Sequence, residues 1–192
     1  IAMTWISMFF GTAYVQIMPV FAELLGTGEE GYGLLLSATG VGSVLGTILV
    51  GRLQNSPRLG SVMMGGSVLF SLSLILFALV TGLAADWRFA FALACACAML
   101  SAVGGSFFLI SSMTVMQLAV PDALRGRVMG IHSITFSLIA LGGLVLGPLA
   151  ELFSAPSALL IGVGVVLASI VGFSIKFDRL WHLNGQDQQL HL

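Results

Sequence analysis

Charge is what this sequence has least of: 8% of its 192 residues are Asp, Glu, Lys or Arg, against about a quarter in an ordinary soluble domain. That shortage excludes a solvated surface of the usual kind. With 58% of residues hydrophobic, a chain this short cannot enclose them all in a core of its own. Lipid is the expected solvent for most of it, and the mean hydropathy of +1.07 agrees. The seven Lys and Arg residues are scattered and the net charge is −1, so no basic field exists for nucleic acid. Cysteine is nearly absent too. Cys95 and Cys97 stand two apart in an apolar run, so on a helix they face different ways and read as inert thiols, neither a disulfide nor a metal clamp. No metal and no cofactor are expected. The start, Ile1-Ala2-Met3-Thr4, lacks a basic leader and a small-residue cleavage site, and reads as the interior of a longer chain.

What is present is length of apolar run. Roughly 20 apolar residues cross a hydrocarbon layer about 30 Å thick, and six segments pass that test: 1–22, 33–51, 60–85, 89–120, 128–150 and 156–175. The expected fold is therefore an all-α polytopic membrane protein, a six-helix domain over 1–177 followed by a polar tail, 178–192. The fourth run exceeds a straight crossing, and Gly104-Gly105 is the expected bend. Loops on the cytoplasmic side of a membrane are enriched in Lys and Arg. Arg52, Arg58, Arg125, Arg127, Lys176 and Arg179 fall on one side of this threading and only Arg88 on the other. Both ends are thus expected in the cytoplasm of a cell (inner) membrane protein.

Helices in lipid associate through small residues that let backbones approach. Gly42 and Gly46 in the second run and Gly143 and Gly147 in the fifth share this spacing while crossing in opposite directions. Division of the chain near Asp86 makes each the second member of a triplet, the pattern of an inverted three-plus-three repeat; generic glycine packing is the other reading.

Polar residues inside spans mark faces turned to protein or to a water-filled cavity. Thr4, Met8, Thr12 and Gln16 recur every four residues, with Tyr14 beside them and Pro19 placed to loosen the helix. Ser111, Thr114 and Gln117 recur every three, and His132 precedes Thr135 by three. Taken singly, such hydroxyls commonly bond to a carbonyl one turn back. Together Thr12, Tyr14, Gln16, Ser111, Thr114, Gln117, His132 and Thr135 suggest a neutral pathway wall for a small-molecule substrate. Gln16 leads, because a carboxamide in lipid needs several partners. No Asp, Glu, Lys or Arg lies at the middle of a run.

Pro121 suits a first helical turn and Asp122 favours the positive helix end. Arg125 and Arg127 then lie at headgroup level, as anchors or as gating contacts with Asp122 or an acidic partner. Val120-Pro121-Asp122-Ala123-Leu124-Arg125-Gly126-Arg127-Val128-Met129-Gly130 resembles the loop between the tenth and eleventh helices of the drug- and siderophore-exporter branch of the major facilitator superfamily. Tyr32 to Ala38 followed by Gly40-x-Gly42-x-x-x-Gly46 resembles the eighth helix of that branch. The likeness implies helices seven to twelve of a twelve-helix, alternating-access transporter, a missing N-terminal half of the same chain as partner, and proton-coupled export. It also implies a cytoplasmic gating loop at Gly51, Arg52 and Arg58, where Asn55 stands in place of the family's acid and puts a charge relay in doubt. Gly143-x-x-x-Gly147-Pro148 resembles the exporter motif of the fifth helix, displaced to its symmetry mate.

Two other functions compete. An intramembrane serine protease would need Ser106 and His132 as a dyad, but the Gly-x-Ser-Gly pattern is missing because Phe107 follows Ser106. A self-assembling six-helix channel or scaffold would need an initiating residue and a basic flank before the first run.

Overall fold

A computed structural model describes residues 1–53 and 59–176. The described residues are all helical or turn, and six helices among them are long and apolar enough to cross a membrane. We name them α1 (Ala2–Leu24), α2 (Gly28–Leu53), α3 (Leu59–Leu83), α4 (Ala90–Ala119), α5 (Asp122–Leu152) and α6 (Ala155–Lys176). Alternate crossing puts Arg52, Arg125 and Arg127 at one end, hereafter the arginine end, and Arg88 at the other. Arg58 and the tail 178–192, with Arg179, lie outside the described residues.

Two helices begin earlier than their apolar runs. α2 starts at Gly28 rather than at 33, taking Glu29 and Glu30 into its first turn, where carboxylates meet the positive helix end. α5 starts at Asp122 rather than at 128; Pro121 is its N-cap residue, just outside the first turn where the sequence placed it. Hydropathy misses both starts because charged first turns are stable helix yet poor membrane. The turn joining α1 to α2 is tight, and its positive φ angles fall on Gly26 and Gly28, where the absence of Cβ removes the strain.

No break in the helix marks the expected bend at Gly104-Gly105. The helix runs unbroken for 30 residues, and Gly104 instead lets α3 come close: a Cβ there would lie 2.5 Å from Phe70 N and 2.8 Å from Gly66 O. On the other side of α4, a Cβ on Gly42 would strike Met99 O, and one on Gly46 would sit 2.8 Å from Ser106 Cβ. Thus α4 is clasped between α2 and α3. In the same way α1 is clasped between α5 and α6, where Gly142 faces Phe9 O and Gly162 faces Phe10 O. α3 and α6 pack together behind them. This pairing maps α1 onto α4, α2 onto α5 and α3 onto α6, as an inverted repeat requires. The glycine contacts are not copied position by position: on α5 the close approaches are at Gly142 and Gly143, while a Cβ on Gly147 would meet nothing within 4 Å.

The main core lies where α1, α3, α4 and α6 converge, around Met18, Phe21, Leu74, Phe77 and Leu159. Phe77 meets both Phe21 and Tyr14 edge to face, at centroid distances of 4.9 and 6.0 Å, a favoured aromatic geometry. A second cluster of Met3, Met63, Met64, Phe108, Val166 and Ile170 fills the arginine end.

α1 departs from α-geometry along its middle. Ser7–Gly11 is wound as a π-helix and Thr12–Ile17 as a 3₁₀-helix, before α-helix resumes at Met18. Pro19 accounts for the second part, since it has no N–H to donate and its ring crowds the carbonyl one turn back. The two deviations have opposite sense, one widening the helix and the other tightening it. Side chains between them therefore leave the simple every-fourth-residue stripe.

Candidate functional site: a hydroxyl-lined cavity between α1, α2 and α4

A cavity of about 280 Å³ opens near the mid-length of three helices. α1 contributes Met8, Thr12, Tyr14 and Val15; α2 contributes Thr39 and Ser43; α4 contributes Ser101, Ala102, Gly105, Ser106 and Leu109, with Phe70 of α3 behind them. No charged side chain is in this lining. The volume is just under the usual range for small-molecule pockets.

The irregular stretch of α1 positions the wall. Tyr14 is turned inward until it is 3% exposed, and its hydroxyl lies 3.1 Å from Ser101 Oγ on α4. A second bridge joins the same helices towards the arginine end, where Thr4 Oγ1 and Ser112 Oγ are 2.9 Å apart. On α2, Thr39 and Ser43 donate to the carbonyls of Leu36 and Thr39, each at 2.7 Å. Ser106 donates across to Ser43 O at 3.3 Å.

Of the eight pathway residues expected from sequence, the cavity brings together Thr12 and Tyr14. Gln16 lies outside it, exposed and laid over Gly143 of α5, whose Cβ would be 2.8 Å from Gln16 Cγ. The remaining five lie nearer the arginine end. Ser111 is fully buried with no hydrogen-bond partner for its hydroxyl, and Thr114 donates to Ile110 O at 3.0 Å. Gln117 Nε2 reaches Met129 Sδ of α5 at 3.7 Å. His132 and Thr135 are buried, with Nδ1 and Oγ1 3.5 Å apart, where α5 passes briefly through 3₁₀ geometry. Thr39, Ser43, Ser101 and Ser106 are the residues that sequence reasoning missed. Their one available signal was position: Thr39 and Ser43 flank the glycine stripe by which α2 packs on α4.

At the arginine end, Gly51, Arg52, Gly126 and Arg127 are exposed. Arg125 pairs with Asp122 at 2.8 Å, the two side chains 49% and 77% exposed. Ser106 and His132 are each engaged elsewhere, with Ser43 O and Thr135, and form no dyad with each other.

Searches of curated proteins and of solved structures found no match to this chain. The sequence pattern of the Major Facilitator Superfamily, however, matches residues 1–182. Members of that family are multi-pass membrane transporters, not enzymes, and the six spanning helices are consistent with half of their fold. With the match extending over nearly the whole sequence, the chain belongs to the major facilitator superfamily.

Proposed function

We propose that the chain is the C-terminal half of a twelve-helix transporter and that a companion N-terminal half of the same polypeptide closes the cavity from its open side. Solute then crosses by alternating access, outward, in exchange for protons. The cavity between α1, α2 and α4 carries this reading: an uncharged, mostly apolar pocket edged with hydroxyls at the mid-length of apolar helices is what an amphiphilic solute needs to leave water part-way across a bilayer. α2 and α5 are the least buried of the six helices, at 22% and 17% of their most apolar stretches. They are the faces on which the companion half docks. For the solute we propose drug-like or siderophore-like amphiphiles, because hydroxyls set among apolar side chains accept many such molecules.

Both ends of the chain are cytoplasmic in this reading, in an inner membrane. The arginine end, with Gly51, Arg52, Asp122, Arg125, Gly126 and Arg127, is then the cytoplasmic gate, to which the sequence adds Arg58. Since the described lining holds no carboxylate, the titrating group for proton exchange belongs to the companion half. The test is efflux of ethidium from cells expressing the intact polypeptide, with and without a protonophore. Efflux faster than from control cells, and abolished by the protonophore, is expected. Efflux equal to that of control cells sinks the proposal. Gln16→Ala and His132→Ala in the same assay decide whether those two residues act in transport, and unchanged efflux in both removes them from it.

A further inference from the structure

We infer that this wall is a hydrogen-bond acceptor, and that the part of the solute it takes is a donor: the amine or ammonium group of an amphiphile, not a carboxylate or phosphate. The inference rests on the transport reading and adds the chemistry of the solute to it.

A hydroxyl has one proton and two lone pairs, so each proton can be followed. Ser101 Oγ donates to Ala98 O at 2.8 Å. Its proton is then committed, and in the 3.1 Å contact with Tyr14 the phenol must be the donor. Thr39 gives its proton to Leu36 O and Ser43 to Thr39 O, while Ser106 gives its own to Ser43 O. Five of the six hydroxyls in the lining thus point their protons into the protein, and Thr12 alone keeps one free. Ser101 and Tyr14 are 0% and 3% exposed, so the lone pairs left for the cavity are those of Thr39, Ser43 and Ser106.

A donor on the solute adds a bond to this wall and breaks none. An acceptor finds a ready proton on Thr12 alone; at any other hydroxyl it must first pull one from an existing bond, which forgoes roughly twofold to tenfold in affinity per contact. Charge widens the gap. An ammonium gains charge-assisted bonds to hydroxyl oxygens. A carboxylate finds no Lys or Arg in the lining and bears its desolvation uncompensated.

The test is binding to the intact transporter in proteoliposomes, corrected for partitioning into empty vesicles, with three probes that share a phenylbutyl body: 4-phenylbutylamine, its trimethylammonium analogue and 4-phenylbutyrate. The amine should bind roughly tenfold or more tightly than the carboxylate. The trimethylammonium, which keeps the charge and loses the N–H donors, should fall between them. Ser101→Ala isolates this wall from the companion half. It removes the acceptor of the Tyr14 proton and leaves that proton free for an acceptor in the cavity, so carboxylate affinity should rise roughly twofold to tenfold. Adding Tyr14→Phe should abolish the gain. Carboxylate binding as tightly as amine, or a preference unmoved by Ser101→Ala, overturns the inference while transport stands. Failure of all three probes to bind in vesicles that still transport another solute overturns it as well. If nothing binds and nothing is moved, the transport reading falls with it.

Discussion

α1 and α4 hold equivalent places in the repeat, and both line the cavity, yet one is irregular where the other is not. α4 is unbroken helix over 30 residues, built on Ala, Gly and Ser that let α2 and α3 approach on two sides. α1 has the same kind of clasp from Gly142 and Gly162, but these press on the carbonyls of Phe9 and Phe10, within the π-wound Ser7–Gly11. Its next stretch is tightened ahead of Pro19. The comparison separates two tasks. A regular helix with glycine contacts is a fixed post, whereas an irregular one can aim particular side chains, here Tyr14, at the post beside it. Irregular helix turns in membrane proteins are tolerated where they face protein or a cavity, and this one faces both.

The largest expected effect comes from attacking the post. Gly104→Ala puts a methyl group against the backbone of α3, at Phe70 N and Gly66 O, neither of which can rotate away, and should cost about 3 kcal/mol. Gly142→Ala does the same to α1 at Phe9 O, but a π-wound turn yields more readily, so its loss should be smaller. Gly147→Ala meets nothing within 4 Å and should stay within about 0.5 kcal/mol. Thermal midpoints of the three variants in detergent check the order. Equal losses at Gly104 and Gly142 would mean that α1 is as rigid as α4.

Next in size is Pro19→Ala, which restores the missing donor and relieves the crowding that favours 3₁₀ geometry over Thr12–Ile17. Tyr14 should then swing away from Ser101, with solute transport falling roughly tenfold at unchanged or higher thermal stability. A transport rate equal to that of the parent would show that the irregularity has no part in shaping the wall. Tyr14→Phe gives the same comparison a finer edge. Ser101 keeps its bond to Ala98 O, so no buried group is orphaned, and the stability loss should be about 0.5–1 kcal/mol.

These two substitutions also show how far sequence could see. The six crossings were legible because a hydrocarbon layer demands a fixed length of apolar chain, and the glycine contacts of α2 because only small residues permit them. Thr12 and Tyr14 were legible as polar residues in the span that faces the cavity. Gln16 lies outside this cavity, because an every-fourth-residue stripe assumes one helical pitch and α1 uses three. Thr39, Ser43, Ser101 and Ser106 escaped because an isolated serine or threonine in a helix satisfies itself one turn back. Only the neighbouring helix decides which of them meet.

A smaller effect, of opposite sign, is expected where α5 turns into α6. Ser154 has φ 145°, a region that L side chains occupy only under strain of order 1–3 kcal/mol. Its Oγ accepts from Ser157 N at 3.3 Å and donates to Ser157 Oγ at 2.9 Å, both bonds solvent-exposed, and exchanging a serine cap for glycine costs only a few tenths of a kcal/mol. Strain relief outweighs the lost cap, so Ser154→Gly should raise stability by about 1 kcal/mol, read as a higher thermal midpoint. A lower midpoint would show that the cap, not the backbone, holds this turn.

The smallest effect is expected at the starts of α2 and α5, which the repeat makes equivalent. Both open with acids at the positive helix end, Glu29 and Glu30 in one and Asp122 in the other. Asp122 has a cation beside it, Arg125 at 2.8 Å, but the pair is 77% and 49% exposed. Solvent screens such a pair to between zero and about 1 kcal/mol, no more than the helix dipole contributes by itself. Asp122→Asn and Glu29→Gln should therefore each cost about 0.5 kcal/mol or less, and by similar amounts. A markedly larger loss at Asp122 would mean that the ion pair, and not the helix end, is what the acid serves. If stability is equal in the two variants while transport falls only in Asp122→Asn, the arginine end moves during the cycle and the pair is part of its closure.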